Sequence, residues 1–184
     1  VAVARAAGAL VLETCRGRAA QMNAGAASAS GEALLFLHAD TIVPPDYVEE
    51  VSTTLSRTGV VLGAFRFSVD DPRLSLQIVA RATNWRARWR QMPYGDQGLF
   101  IRRETFRALG GFPDLPIMED YAFVRKARKA GRIRISRASA PTSARRWRRL
   151  GPWKTTAINQ LVIGGYWIGL SASTLARFYR EAGR

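Results

Sequence analysis

Short apolar runs alternate with longer amphipathic stretches along most of this chain. The run ALLFL at residues 33–37 has the length and composition of a buried strand. Residues 18–30 are rich in good helix formers and are followed by Gly31, which is typical of a helix end. The same criteria predict further strands at residues 9–13, 60–69, 99–102 and 132–137, and further helices at residues 46–57, 74–90, 104–109 and 119–130.

This order of strands and helices predicts an α/β domain with a mostly parallel sheet flanked by helices. We assign the domain to residues 1–150. Ligands of open α/β sheets bind beyond the carboxyl ends of the strands. Polar residues that directly follow the apolar runs are therefore the first candidates for a functional site.

The C-terminal segment, residues 151–184, has a different pattern and is predicted to be helical. Residues 155–176 contain no charged side chain, and a helix of that length could span a bilayer. Three glycines and several polar residues lower the hydrophobicity of this stretch. A helix packed on the domain, or lying on a membrane surface beside the neighbouring arginines, is the alternative.

The net charge is +14, from 28 Lys and Arg against 14 Asp and Glu. Arginines cluster at residues 81–90, 125–137 and 145–149. Such an excess favours anionic partners such as nucleotide phosphates, anionic lipid or nucleic acid, although solvated helix faces would give the same pattern. We expect no nucleic acid, because no nucleic-acid-binding motif accompanies the basicity.

Cysteine content and the N-terminus add two expectations. The single cysteine, Cys15, excludes an internal disulfide and a cysteine-rich zinc site, and fits a reducing cytoplasmic setting. The chain begins at Val1, and residues 1–7 lack the pattern of a signal peptide. These residues look like the end of a helix, so we expect a preceding segment.

The first candidate site directly follows the run ALLFL. His38 and Asp40 stand there, at the expected carboxyl end of a strand. Mg²⁺ and Mn²⁺ are bound by one or two protein carboxylates together with phosphate oxygens and water. The pair therefore indicates a metal site for a diphosphate; a plain strand-end turn is the alternative.

Two further candidates carry carboxylates. Glu119 and Asp120 begin a predicted helix, where they could cap the helix or supply a general base. Gly95, Asp96, Gln97 and Gly98 precede a predicted strand, and their glycines would let the backbone approach a ligand closely. A tight turn is the alternative for this second motif.

The last candidate is the pair Arg146 and Trp147. Arginine can bind phosphate with two parallel hydrogen bonds. Tryptophan can stack on a sugar face or pack in a core. A basic surface patch is the alternative.

Taken in order, these motifs resemble family 2 glycosyltransferases with a GT-A, Rossmann-like fold. GRAAQMNAGAASASGEALLFLHADTIVPPDYVE is similar to the helix-to-metal-site segment of that family. GDQGLFIRRETFRALGGFPDLPIMEDYAFVRKARKAGRI is similar to its acceptor loop and catalytic helix. The details QMNAGA, FLHADT, YGDQGLF and PIMEDY most resemble a bacterial branch of radical-SAM/selenodomain-associated transferases.

The resemblance implies roles for the matching residues on the metal and catalytic side. Asp40 matches the last aspartate of the DXD metal motif, and His38 replaces the first, as a weak ligand, as a supporting group or only as a residue at the strand end. Asp120 matches the catalytic base, with Glu119 as its neighbour in the ED pair. Arg18 and Asn23 match positions near the nucleotide.

The resemblance also covers the acceptor side and departs from the family at two places. The loop from Gly95 to Gly98, with Asp96 and Gln97, matches the acceptor side. Arg146 and Trp147 resemble the RW of the QxxRW motif, with Arg146 toward the donor and Trp147 toward the acceptor. Ser143 stands where that motif has glutamine, which argues against a processive polymer synthase. The family's opening strand and nucleotide-gripping Asp-Gly-Ser segment are also not found, so we expect a GT-A domain truncated at its N-terminus.

The implied activity is an inverting transfer of a sugar from a nucleotide-diphosphate sugar, with UDP favoured, to an acceptor hydroxyl. Mn²⁺ or Mg²⁺ is the implied cofactor. The implied location is the cytoplasm, with peripheral contact to the inner face of the cell membrane. Two other classes remain open from the residues alone: a sugar-phosphate nucleotidyltransferase, and a non-enzymatic module that binds anions or membranes.

Overall fold

The computed structural model describes residues 1–183; Arg184, the last basic residue of the C-terminal segment, lies outside the described residues. Four strands form one sheet: β1 (Ala33–Phe36), β2 (Val60–Val69), β3 (Leu99–Arg102) and β4 (Arg132–Thr142). The α-helices are α1 (Ala2–Ala6), α2 (Arg18–Ser28), α3 (Tyr47–Leu55), α4 (Leu74–Arg90), α5 (Arg103–Ala108), α6 (Glu119–Ala130), α7 (Arg145–Leu150), α8 (Pro152–Trp167) and α9 (Ala172–Ala182).

The sheet has the order β1-β3-β2-β4 and is flanked by helices, which confirms the α/β class. β3 pairs antiparallel with both β1 and β2, whereas β2 and β4 pair in parallel. The expectation of a mostly parallel sheet therefore needs correction. Three of the four described strands run in the same direction, but β3 lies between two of them in the opposite direction.

The reversed direction of β3 places its beginning beside the end of β1 and the middle of β2. Phe36, the last residue of β1, pairs with Leu99, the first residue of β3. Ala64 of β2 also pairs with Leu99. The residues after β1 and the residues before β3 consequently meet at one edge of the sheet, where ligands of such folds bind.

The main core lies between the sheet and helices α2 and α6. Leu62, Leu99 and Ile101 of the sheet are buried there against Phe123 and Val124 of α6. Burial of this apolar face holds the start of α6 close to the edge of the sheet that carries the candidate site.

Two of the predicted strands differ in the structure. Residues 9–13 are irregular and largely exposed, because no strand of the described chain pairs with them and an unpaired segment gains no ladder hydrogen bonds. β4 runs on to Thr142, well beyond residue 137, because β2 continues to pair with it. This extension brings Ser143 to Asp40, whose carbonyl oxygen accepts the Ser143 N–H at 3.0 Å.

The C-terminal segment is helical but forms two helices rather than one. The chain turns between α8 and α9, where Gly169 has a φ of +87° that favours glycine. Ile158 and Val162 of α8 are buried, and the Trp167 indole N–H donates to the Tyr121 hydroxyl of α6 at 2.7 Å. Within residues 1–183, no helix is both long and apolar enough to cross a membrane.

Candidate active site

A cleft of about 440 Å³ opens at the edge of the sheet where β1 and β4 end and β3 begins. Its lining combines carboxylates and guanidinium groups from five separate parts of the chain. The charged and polar residues on which the chemistry depends are Arg18, His38, Asp40, Asp96, Asp120 and Arg146.

The Asp120 carboxylate is held at the start of α6 by two backbone amides. The N–H of Gly95 donates to Oδ2 at 2.7 Å, and the N–H of Tyr121 donates to Oδ1 at 2.7 Å. A Cβ atom at position 95 would lie 2.7 Å from the same Oδ2, so the loop reaches Asp120 only with glycine there. Each carboxylate oxygen keeps a further lone pair, so Asp120 can still accept a proton from a ligand in the cleft.

Arg18, the first residue of α2, joins His38 to Glu119. Its Nη2 lies 2.8 Å from Nε2 of His38, and its Nε lies 3.1 Å from Oε1 of Glu119. A guanidinium group only donates, so Nε2 of His38 accepts and the imidazole is neutral. Burial, and then the charge of Arg18, lower the pKa of His38.

Glu119 and Asp120 are adjacent in sequence but have different environments. Glu119 is almost fully buried, and its contact with Arg18 is an ion pair without hydrogen-bond alignment. Burial, and then the charge of Asp120, raise the pKa of Glu119, while Arg18 opposes this rise. Successive helical residues point about 100° apart, so Glu119 faces Arg18 while Asp120 lines the cleft.

Asp96 and Arg86 form a second charged group beside Asp120. Burial, and then the charge of Asp120, raise the pKa of Asp96 to about 6. The Arg86 guanidinium carbon lies 3.6 Å from the centroid of the Tyr94 ring, and burial lowers the pKa of Arg86. Oδ1 of Asp96 and Nη2 of Arg86 are buried without a hydrogen-bond partner in the described chain.

Arg86 was not among the candidates predicted from the sequence. It belongs to the arginine cluster at residues 81–90, which the sequence alone indicates to be a basic surface. The helical period could have identified it, because the side chain of Arg86 points to a different side of α4 from the side chains of Arg81 and Arg88.

The Asp40 carboxylate is exposed at the cleft and forms no ion pair within residues 1–183. The same residues contain no cluster of three or more His, Cys, Asp or Glu side chains suited to a metal ion. A metal that arrives with a diphosphate needs only one or two protein carboxylates, and Asp40 fits this requirement. His38 does not fit, because Arg18 already occupies its Nε2.

Arg146 of α7 lines the cleft and contacts Tyr179 of α9. Its guanidinium carbon lies 4.1 Å from the centroid of the Tyr179 ring, and its Nη1 donates to the Tyr179 hydroxyl. Nε and Nη2 of Arg146 have no hydrogen-bond partner among the described residues. Trp147 also lines the cleft, but it is mostly buried and packs on Phe67 with ring centroids 6.4 Å apart.

Five predicted site residues do not line the cleft: Gly95 and Glu119, whose contacts are given above, and Asn23, Gln97 and Gly98. The Asn23 amide donates to the Phe112 carbonyl at 2.8 Å and accepts the Phe112 N–H at 2.9 Å. Gln97 is fully buried and donates to the Phe65 carbonyl, and Gly98 turns the chain with a φ of +62°. Asn23 and Gln97 thus hydrogen-bond to the backbone, and Gly98 shapes the loop, while their expected contacts with nucleotide and acceptor remain predictions.

The mixed sheet, its flanking helices and this cleft define a glycosyltransferase of the GT-A fold. The sequence model described as Glycosyl transferase family 2 matches residues 9–110, more than half of the 184 residues, and the chain belongs to that family. No curated protein matches the chain. The matched range contains Arg18, His38, Asp40 and Gly95, whereas Asp120 lies beyond it.

Family membership also decides between the three classes that the residues alone left open. It favours glycosyl transfer over nucleotidyl transfer and over a non-enzymatic anion-binding module. The protein is therefore a glycosyltransferase.

Proposed function

We propose that this glycosyltransferase moves a sugar from a nucleotide-diphosphate sugar, with UDP favoured, onto an acceptor hydroxyl with inversion at the anomeric carbon. The observation that carries the proposal is the Asp120 carboxylate, which the Gly95 amide holds in a cleft also lined by Arg18 and Arg146. A carboxylate near two guanidinium groups suits a reaction in which a proton leaves a hydroxyl while a diphosphate departs.

Asp120 is the general base in this proposal. Its carboxylate accepts the proton of the acceptor hydroxyl as the hydroxyl oxygen attacks the anomeric carbon. The bond between that carbon and the diphosphate oxygen breaks on the opposite side, so the configuration inverts. The Gly95 and Tyr121 amides keep the carboxylate in one orientation during this step.

The diphosphate is held by positive charge in this proposal. Arg146 has two guanidinium nitrogens without a hydrogen-bond partner among the described residues, so it can donate to phosphate oxygens. Asp40 would hold Mn²⁺ or Mg²⁺, which neutralises charge on the departing diphosphate when bound. His38 and Glu119 position Arg18, which lines the same cleft.

Asp96 and Tyr94 line the cleft beside Asp120, and we propose that they contact the acceptor. Trp147 lines the same cavity, although most of its side chain is buried. A cytoplasmic reaction remains a prediction that follows from the proposed nucleotide-sugar donor.

The test compares Asp120→Asn with Glu119→Gln in the full-length protein, with turnover and UDP-sugar affinity measured for both. Loss of a general base costs about 100- to 10,000-fold in rate. We expect Asp120→Asn to show this loss with nearly unchanged donor affinity, because asparagine keeps the size of the side chain but cannot take the proton. Turnover of Asp120→Asn within tenfold of the parent would overturn the assignment of the base.

Glu119→Gln is the matched neighbour in that experiment. It should affect donor affinity and stability more than Asp120→Asn does, because it removes the negative charge that pairs with Arg18. If Glu119→Gln is inactive while Asp120→Asn is active, the roles within the pair are reversed. The same assay distinguishes the two reactions by their products, because glycosyl transfer releases UDP whereas nucleotidyl transfer releases pyrophosphate.

A further inference from the structure

Helix α4 has two apolar faces, and only one of them packs in the protein. Leu76, Val79 and Ala87 form the buried face. The opposite face carries four large apolar side chains that are exposed. They are Leu74, Ile78, Trp85 and Trp89, with the two indoles 66% and 68% exposed.

The four exposed residues lie on one side of the helix, with Arg81 between Ile78 and Trp85, and this surface is here called the α4 stripe. Their spacings of four, seven and four residues place them on the same side of the helix. At about 1.5 Å per residue the α4 stripe is roughly 22 Å long. Trp85 and Trp89 stack with centroids 5.4 Å apart and an interplanar angle of 14°, so together they form one broad aromatic end.

Arginines border the α4 stripe. Arg81 and Arg88 of α4, together with Arg66 of β2, line a shallow groove beside the two tryptophans. Helix α4 contains no Asp or Glu, and Arg90 adds a further positive charge at its end. The surface therefore combines exposed apolar side chains with positive charge beside the two indoles.

This combination has the chemistry of a helix at an anionic membrane surface. Tryptophan is enriched at the level of lipid headgroups, where its apolar ring and its N–H are both satisfied. Each Lys or Arg near an anionic bilayer strengthens binding through its charge. We propose that the α4 stripe binds the surface of an anionic lipid bilayer, with Trp85 and Trp89 at headgroup depth and Arg81 and Arg88 on lipid phosphates.

Two other occupants fit the observations less well. A second copy of this chain, seated on the same stripe, would bring the positive charges of both copies into one interface, and like charges repel. Single-stranded nucleic acid uses aromatic rings as separate stacking platforms. Here the two indoles stack on each other, and Leu74 and Ile78 extend the surface in apolar form.

The proposal moves membrane contact from the C-terminal segment to α4, and places it next to the cleft. Arg86, which follows Trp85 in sequence, contacts Tyr94 of the cleft from the same helix. Helix α4 thus carries the α4 stripe on one face and contacts a residue proposed to bind the acceptor on another. Binding to lipid does not depend on the proposed chemistry, and it can be measured without donor or acceptor.

The experiment is co-sedimentation of the full-length protein with lipid vesicles. One set contains phosphatidylcholine alone, and the other contains phosphatidylcholine mixed with phosphatidylglycerol. We expect binding to the anionic vesicles, weakened by salt. The double variant Trp85→Gln/Trp89→Gln should bind roughly tenfold or more weakly, because both interfacial rings are lost.

Trp153→Gln is the matched control, because Trp153 is an equally exposed indole on α8. It should bind vesicles like the parent. Circular dichroism melting of each variant checks that the fold is kept, because substitutions at exposed positions usually change stability little.

Several outcomes would overturn the proposal. Equal binding of the double variant and the parent would exclude the α4 stripe, and loss of binding in Trp153→Gln alone would place the contact on the C-terminal helices. Equal binding to both lipid compositions would exclude the role of the arginines. A different occupant would be identified if the parent does not bind vesicles but forms a dimer in sedimentation equilibrium, or binds single-stranded DNA, and the double variant does neither.

Discussion

The backbone N–H of Gly95 donates to Oδ2 of Asp120 at 2.7 Å. This bond joins the loop before β3 to the first turn of α6, although 25 residues separate the two positions. The geometry depends on the absence of a side chain at position 95, because a Cβ there would lie as close to Oδ2 as the amide nitrogen does. The loop and the proposed base are therefore positioned by one another.

The first prediction concerns this contact. Gly95→Ala should lower turnover by about 100-fold, because displacement of a reacting group by about 1 Å costs on that order. Steady-state kinetics of the variant measure the effect. Gly164→Ala is the control, since Gly164 lies within α8 with open space around a Cβ atom, and alanine there should leave turnover unchanged and raise stability by about 0.5–1 kcal/mol. If Gly95→Ala turns over like the parent, catalysis does not depend on the position in which the Gly95 amide holds Asp120.

The second prediction separates Asp40 from His38. Asp40→Asn should abolish the Mn²⁺-dependent part of UDP binding, because the exposed carboxylate supplies the protein oxygen to the metal. His38→Gln should keep metal dependence, because Nε2 of His38 is engaged by Arg18. Titration calorimetry of UDP with and without Mn²⁺ measures both. Asp46→Asn, at an exposed carboxylate before α3, is the control. Unchanged Mn²⁺ dependence in Asp40→Asn would remove Asp40 from the metal site.

The third prediction is a pH dependence of stability from Asp96. The pKa of Asp96 is about 6 in the folded protein, above its usual value of 3.8, because burial and the charge of Asp120 disfavour ionisation. Between these two values the folded state binds more protons than the unfolded state, so the contribution of Asp96 to the free energy of unfolding falls as pH rises. The loss is complete above about pH 7.

Asp96→Asn removes that cost. The free energy of unfolding of the variant, relative to the parent, should rise between about pH 4 and pH 7 by on the order of 1–2 kcal/mol. Chemical denaturation at a series of pH values measures the difference. Asp114→Asn, at an exposed carboxylate, should show no such trend. A difference for Asp96→Asn that does not vary with pH would contradict a raised pKa at this position.

The fourth prediction tests the structural role of Asn23. Asn23→Ala removes both hydrogen bonds to the Phe112 backbone and should lower the free energy of unfolding by about 1–3 kcal/mol. UDP affinity of the folded variant should be nearly unchanged, because Asn23 does not line the cleft. Gln160→Ala, at an exposed position of α8, is the control for stability. A variant with parent stability and weakened UDP binding would restore Asn23 to the nucleotide site.

Local structure was determined by the sequence with little help from the rest of the molecule. The predicted strands 60–69 and 99–102 and the predicted helices 74–90 and 119–130 agree with β2, β3, α4 and α6 residue for residue. Apolar periodicity and flanking glycines are local signals, and they specify the period of an element and the positions at which it ends.

Chain order also determined which ends of the strands carry the site. His38 and Asp40 follow β1 directly, and the loop at Gly95 precedes β3, so both motifs lie in one cleft. The sequence did not determine the direction of β3. It also did not determine whether residues 9–13, which were predicted to be a strand, find a strand to pair with. An apolar run specifies a buried strand but not its partner, and pairing depends on contacts between distant parts of the chain.

The tertiary structure alone decided what each polar side chain contacts. Asn23 and Gln97 looked like ligand-binding residues, but they hydrogen-bond to backbone groups far away in sequence. Arg86 looked like basic surface, but it is held over the Tyr94 ring beside Asp96. A polar residue type specifies the hydrogen bonds that it can make, whereas the fold determines which partners lie within reach, because those partners come from segments that only packing brings together.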